Sequence, residues 1–342
     1  MGTVSELATA VEDDQVVFRL SDPGHAFAAV RLWSDVALTP NPGDLELARS
    51  EGGWELRLPL PDLDCLEYLF EADGTLAPDP GNPDRVDGAF GPHSWLPMPG
   101  YEPPAWLARE PAAGHRTRLA AGEIDVEVWE PAGHEDAPLP LLLVHDGAEM
   151  DAYGRVVHYA ATLPPMRVAL LSPGPNRDER YSANPEYAAA LCGEVIPALT
   201  TAFETPHKPV LLGQSLGALA ALHAAYSAPG YGETFAGMML QSGSFFTREL
   251  DSQEAGFPHF DRVVEFVNHV RNLHRAVSWV PPLAMTCGTA EENLANNLAM
   301  RDHLRVVGRD VGWGEVRQGH TWMCWRDTLD PHLGDLLGKV WH

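Results

Sequence analysis

The sequence predicts a chain in two parts: an all-β region over roughly the first hundred residues, then an α/β region built on a mostly parallel sheet. Three observations carry this. The early chain holds short apolar runs with partial alternation, broken by Pro, Gly and Asp clusters, and no helical period of useful length. From His115 onwards, strand-like and helix-like segments alternate. Between the two lies a stretch dense in proline. A chain of 342 residues is also too long for one ordinary domain and long enough to pack a core in each of two. The expected boundaries are 1–104 and 105–342.

In the first part, Val16–Leu20, Phe27–Trp33, Trp54–Leu60 and Leu66–Ala72 read as strands of a two-sheet sandwich. Trp33 and Trp54 are either core residues or stacking platforms for a sugar-like ring, with core the better reading for tryptophan on a sandwich strand. Pro78–Pro104 is too rich in Pro, Gly and Asp for helix or central strand. Its interspersed Phe90, Trp95, Leu96, Met98 and Tyr101 suggest an extended strap pinned by apolar anchors.

In the second part, Ile124–Trp129, Pro140–His145, Met166–Leu171, Pro209–Leu212, Phe235–Leu240, Leu283–Cys287 and Trp313–Arg317 read as strands. Helical patterns fall at Tyr187–Ala202, Leu216–Ser227, Phe260–Leu273, Leu294–Val307 and Trp322–Leu337. Within this alternation the stretch from Lys208 to Gly217 is the informative one. An apolar run ends in Gly213-Gln214-Ser215-Leu216-Gly217 and passes at once into an Ala- and Leu-rich helix. G-x-S-x-G between strand and helix is a nucleophile elbow: the sharp turn strains the serine, and the flanking glycines allow close packing of the chain around it. The helix that follows aims its N-terminus at the serine, so the Leu216 N–H is placed to stabilise an oxyanion. Elbow and alternation together predict an α/β-hydrolase sheet, with chemistry beyond the carboxyl ends of the strands.

Acyl transfer by a serine needs a base, a group to orient that base, and oxyanion donors. Of 15 histidines, His320 stands out, since it follows a strand-like run in Gln318-Gly319-His320 and precedes a helix. His145 ends another strand and suits packing or pocket lining, whereas His207, His223, His259, His269, His274 and His303 read as surface or helix-face residues. The orienting acid belongs on the loop after Leu283–Cys287, where Glu291 is the first choice and Glu292 the second. Both also suit an ordinary helix N-terminus. A second oxyanion donor is expected from Asp146-Gly147-Ala148, with Gly147 letting the chain turn and the Ala148 N–H facing the site. The polar cluster from Pro175 to Tyr187 offers Arg177 for an anionic or phenolic oxygen, or a surface ion-pair cluster instead. Trp322 and Trp325 either wall the pocket or fill the core.

Composition narrows the partners. A formal charge of −25 argues against nucleic acid and anionic membranes, which need clustered Lys and Arg. The first fourteen residues carry Glu6, Glu12, Asp13 and Asp14 without a basic leader pattern, and no run approaches the ~18 apolar residues of a membrane span. Cys65, Cys192, Cys287 and Cys324 are scattered in apolar surroundings, as expected of thiols in a reducing, cytoplasmic setting and not of a metal site.

Two resemblances extend this reading. Val30–Trp33, Gly52–Pro61 and Glu67–Gly74 resemble the immunoglobulin-like domains, related to carbohydrate-binding modules, that precede glycogen-branching enzymes and some esterases. Gly319-His320-Thr321-Trp322-Met323-Cys324-Trp325-Arg326 resembles the G-H-D-x-x-C-W-R ending of the enterochelin (enterobactin) esterase family. His145-Asp146-Gly147, Arg177 with Tyr181 and Asn184, Gly213–Gly217, and Gly288 to Glu291 with Asn297 follow in that family's order. Asp146-Gly147-Ala148 also resembles the oxyanion loop of mycolyltransferases. The resemblance implies a cytoplasmic serine esterase that opens ester bonds of a ferric siderophore and needs no cofactor. It assigns Ser215 as nucleophile, His320 as base and Glu291 as acid; Asp146, Gly147, Arg177 and Trp325 are the residues expected around the substrate. Thr321 replaces the family's aspartate, and Arg180 stands where an acidic residue is common. The rivals are a general carbohydrate or peptide esterase, an acyltransferase, and a non-catalytic glycan-binding protein.

Overall fold

The computed structural model describes residues 8–88, 91–228, 230–273 and 280–341. Phe90, His274 and Glu6, named above, lie outside them. The chain divides into two compact units. One comprises Met1–Glu102 with the short segments Thr289–Glu291 and Arg317–Thr321; the other comprises Pro103–Gly288, Glu292–Val316 and Trp322–His342.

Among the described residues of the first unit, nine strands form two antiparallel sheets. β1 (Ala10–Glu12), β2 (Gln15–Ser21), β5 (Gly53–Pro59) and β4 (Ala48–Ser50) make one sheet in that order. β3 (Val30–Trp33), β6 (Cys65–Ala72), β9 (His93–Pro97) and β8 (Arg85–Val86) make the other, with β7 (Thr75–Ala77) also paired to β6. Alternation along the strands sends Val16, Phe18, Leu32, Leu66, Tyr68 and Phe70 into a common core. Trp54 belongs to that core at 6 % exposure and donates its indole N–H to Asp22 Oδ2 at 3.1 Å, so it is no stacking platform. The proline-rich stretch differs from the strap read in the sequence: β9 lies between β6 and β8 within the sheet. Its only proline, Pro97, falls at the last position of the strand opposite Cys65, where a missing N–H costs little.

The second unit is an eight-stranded mixed sheet: β10 (Gly114–Ala121), β11 (Ile124–Pro131), β13 (Arg167–Leu171), β12 (Leu141–Val144), β14 (Val210–Gln214), β15 (Gly237–Gln241), β16 (Leu283–Gly288) and β17 (Val311–Val316), in that order. β10 and β11 pair antiparallel and β11 is antiparallel to β13; all other pairings are parallel. A mostly parallel sheet is what the alternation of strands and helices predicts. Buried on both faces, the central strands are continuously apolar. Leu141, Leu143, Leu211, Met238 and Leu240 pack under α4 (Pro185–Ala190), α5 (Ile196–Ala202), α6 (Leu216–Tyr226), α7 (Phe260–Arg271) and α8 (Leu294–Val306). Leu142, Val144, Val210, Leu212 and Met239 face the other way. They pack on α1 (Gly147–Ala152), α2 (Val156–Ala160), α9 (Trp322–Asp327) and α10 (His332–Val340). A last short helix, α3 (Arg177–Tyr181), follows β13.

The helix expected over Trp322–Leu337 is two helices, because Pro331 offers no N–H to continue the first. β10 was not legible: its residues are exposed apart from Leu119 and Ala121, so the strand lacks an apolar stripe.

Candidate active site

β14 runs straight into α6 through Ser215, whose backbone sits at φ 55° and ψ −123°. That region is costly for any residue with a side chain, so the surrounding structure must hold it. The flanking glycines explain how. A Cβ on Gly213 would lie 2.3 Å from the Gly217 carbonyl oxygen, and one on Gly217 would lie 3.1 Å from the His145 Cβ. Ser215 N–H donates to the Gln241 carbonyl at 2.9 Å, and the Ser215 carbonyl accepts from the Ala218, Leu219 and Ser244 N–H groups. Ser215 Oγ lies 3.3 Å from Ser244 Oγ. Leu216 is the first residue of α6, so its N–H belongs to the unclosed first turn.

Ser244 was not singled out in the sequence. It ends Gln241-Ser242-Gly243-Ser244, a polar close to the apolar strand β15, and that contrast was the available signal. Asn297 holds this turn, accepting from Gly243 N–H at 2.9 Å and donating to the Gly243 carbonyl at 2.8 Å.

Beside the elbow, β12 ends at Val144 and the chain turns through Asp146 at φ 48°, ψ 44° into α1. His145 is fully buried, with its Nδ1 2.8 Å from the Gly217 carbonyl oxygen. Burial pushes its imidazole down to about 4, against the opposing effects of that bond and the Asp146 charge. It is therefore a neutral donor that ties β12 to the elbow. Arg177 holds Asp146 with two hydrogen bonds, Nε to Oδ1 and Nη2 to Oδ2, both 2.7 Å. Gly147 is buried, and a Cβ there would lie 2.5 Å from the Leu170 backbone. Asp146 and Gly147 are thus used by the chain's own packing, and only Arg177 keeps accessible surface, 35 % of its side chain. Ala148 is exposed and lines a 620 Å³ cavity floored by Leu119, Val126 and Leu170.

Trp325 is a correction to the pocket-wall reading. It is buried in the core beneath the sheet, donates its indole N–H to Ser242 Oγ at 3.0 Å and packs edge-on to Trp322 at 4.7 Å.

In the first unit, Glu291 and His320 meet. His320 Nδ1 lies 2.8 Å from Glu291 Oε2, with the Glu291 side chain fully buried and that of His320 31 % exposed. The adjacent backbones are joined by Ala290 N–H to the Gln318 carbonyl at 3.2 Å. Glu292 is exposed and accepts instead from Gln253 Nε2 at 3.5 Å. A carboxylate on Nδ1 selects the tautomer in which Nδ1 carries the proton and Nε2 the lone pair.

A family model described as "Putative esterase" matches residues 118–336. Among curated relatives, the iron(III) enterobactin esterase of Escherichia coli O6:H1 (strain CFT073) is 26 % identical over 221 residues, 61 % of this chain and 52 % of the relative. That of Escherichia coli strain K12 is 25 % identical over 49 % of this chain and 40 % of the relative. The chain spans about half the length of the curated relatives it matches. The solved enterobactin esterase of Shigella flexneri, crystallised in the presence of enterobactin, is similar with a TM-score of 0.75 and 20 % identity, over 97 % of this chain and 96 % of that one. The ferric enterobactin esterase of Salmonella typhimurium gives 0.76 and 19 %, over 97 % and 96 %. At such identities the likeness is one of fold.

Proposed function

Since the chain belongs to the esterase family whose model spans residues 118–336, we propose that it is a serine carboxylic-ester hydrolase in which Ser215, His320 and Glu291 act as one unit. The observation that carries this reading is the strained elbow at Ser215 in the same chain as a buried Glu291 bonded to His320 Nδ1. Chain connectivity adds support. β14, β16 and β17 run in the same direction, and Ser215, Glu291 and His320 follow their carboxyl ends within a few residues. That is the edge where open α/β sheets gather their chemistry.

Ser215 Oγ attacks the ester carbonyl while His320 Nε2 takes its proton, and the Glu291 carboxylate stabilises the imidazolium through Nδ1. The Leu216 and Ala148 N–H groups receive the oxyanion. The tetrahedral adduct collapses, His320 gives its proton to the leaving alcohol, and water, deprotonated by His320, releases the acid and frees Ser215.

For substrate we propose a siderophore-like ester, after the names of the relatives and solved structures, which are enterobactin esterases. No cofactor enters this chemistry, and the cytoplasm is the proposed site of action. The first unit is proposed to be an immunoglobulin-like sandwich, forming with the linker a domain over 1–104 ahead of a hydrolase domain over 105–342. The test is hydrolysis of p-nitrophenyl butyrate and of enterobactin by the full chain beside Ser215→Ala. Turnover of both, lost in the variant, supports the reading; butyrate turnover alone leaves a general esterase, and none above the variant removes the enzyme.

A further inference from the structure

The loop that carries His320 is seated on the N-terminal sheets by an unusually close fit. The Arg317 carbonyl accepts from Asp64 N–H at 2.6 Å, and the Arg317 guanidinium reaches Asp64 at 2.6 Å and Asp62 at 2.9 Å. Gly319 follows, and a Cβ there would lie 2.4 Å from Val36 Cγ1 and 2.6 Å from Asp35 Oδ2. A side chain at 319 would require Val36 or Asp35, in the turn after β3, to shift. That turn is itself fixed: Ser34 Oγ donates to the Glu67 carbonyl at 3.1 Å and accepts from Val36 N–H at 3.3 Å, and Val36 is buried. The Asp35 carboxylate therefore stands against the residue next to the base.

We propose that Asp35 is a positioning residue for His320, a second carboxylate that, with Glu291, favours the imidazolium and holds the Gly319–His320 loop in register. The inference rests on the reading of His320 as the base. Its physical basis is that a negative charge near an imidazole stabilises the protonated form, which is the form present in the transition state of serine attack. The charges around Asp35 are Glu67 on β6, His93 on β9 and His320 itself. His93 Nδ1 lies 3.2 Å from Glu67 Oε2, and Glu291 faces His320 from the loop after β16. Crowding by protein and then the Glu67 charge push Asp35 up to about 6, with His320 and His93 pulling the other way. Because Asp35 is exposed by surface area, water tempers the crowding, and the Glu67 repulsion is the steadier cause. The Asp35 and His320 charges therefore act on one another.

The test uses the full chain and follows the His320 ring by NMR against pH, its resonances assigned with His320→Ala, in parallel with the pH profile of kcat/KM on p-nitrophenyl butyrate. Asp35→Asn is expected to lower the His320 midpoint by roughly half a pH unit and to move the acid limb of the profile the same way. Asp35→Glu, which keeps the charge, should restore most of that shift. A merely structural role would lower stability without moving either midpoint. Should Asp35→Asn fail to fold, Gly319→Ala drives a methyl against the same carboxylate, and it too must shift the His320 midpoint. An unchanged midpoint in folded variant protein overturns the inference. Absence of Ser215-dependent turnover in the unmodified chain is a separate result: it defeats the esterase reading before Asp35 is touched.

Discussion

Arg177 grips both oxygens of Asp146 at 2.7 Å, and this forked pair fixes a left-handed residue at the head of the loop that leads to the Ala148 N–H. Asp146 is 2 % exposed, so its charge has little water to fall back on. Arg177→Ala is expected to lower kcat on small esters about 10²-fold with KM little changed, and to cost about 3 kcal/mol of stability. Arg177→Lys should recover only part, since a lysine has no planar fork. Steady-state kinetics on p-nitrophenyl butyrate checks this. A rise in KM alone would return Arg177 to the substrate-contacting role read from the sequence.

The elbow has no room for a methyl group. Gly213→Ala places a Cβ 2.3 Å from the Gly217 carbonyl oxygen, backbone that cannot swing aside. The expected loss is about 3 kcal/mol, visible as a lower urea midpoint with an unchanged slope. An unaltered midpoint would show that the turn relaxes in a way the packing does not allow.

The two candidate acids separate cleanly. Glu291→Gln removes the carboxylate that lies 2.8 Å from His320 Nδ1 and is expected to lower kcat by ~10³-fold or more. Glu292→Gln touches an exposed residue and should stay within about twofold of the parent. Side-by-side rates on one ester suffice, and the reverse order would move the acid to Glu292.

Much of the proposed site is legible in the sequence, because its residues sit in short local patterns. Ser215 was legible from glycines whose steric reason is now explicit, and a carboxylate on the loop after β16 from chain order, which Glu291 and Glu292 satisfy alike. What could not be read depends on contacts remote in sequence. Asp146 and Arg177 are 31 positions apart and their pairing has no local signature. Asp35 and Val36 are far in the chain from Gly319, yet both crowd the position a side chain would take there. Trp325 looked equally suited to pocket or core, and its burial, together with its bond to Ser242, decides for core. The strand His93–Pro97 was hidden by the prolines and glycines of the surrounding 78–104 stretch, since composition describes a segment's average.

Two buried histidines give the fold an acid sensitivity. Burial pushes His145 and His223 each down to about 4, so both are neutral in the folded chain at pH values where the unfolded chain binds protons. A histidine with a lowered folded-state pKa costs stability as pH falls through 6.5 towards 4 and nothing above about 7. Each contributes on the order of 3 kcal/mol over that window, before other groups are counted. Asp35, pushed up, works in the opposite sense but is exposed. Urea unfolding at pH 7 and pH 5 should show the loss, and His223→Gln should remove part of it. Equal stability at the two pH values in both proteins would contradict the burial argument.

The measurement that bears most directly on the whole account is a double-mutant cycle on ester hydrolysis with Ser215→Ala, His320→Ala and the double variant, each shown to be folded. Nucleophile and base that act as one unit give single losses in kcat on the order of 10⁴ or more, with little further loss in the double variant. Independent, multiplying losses, or a Ser215→Ala protein as active as its parent, would contradict it.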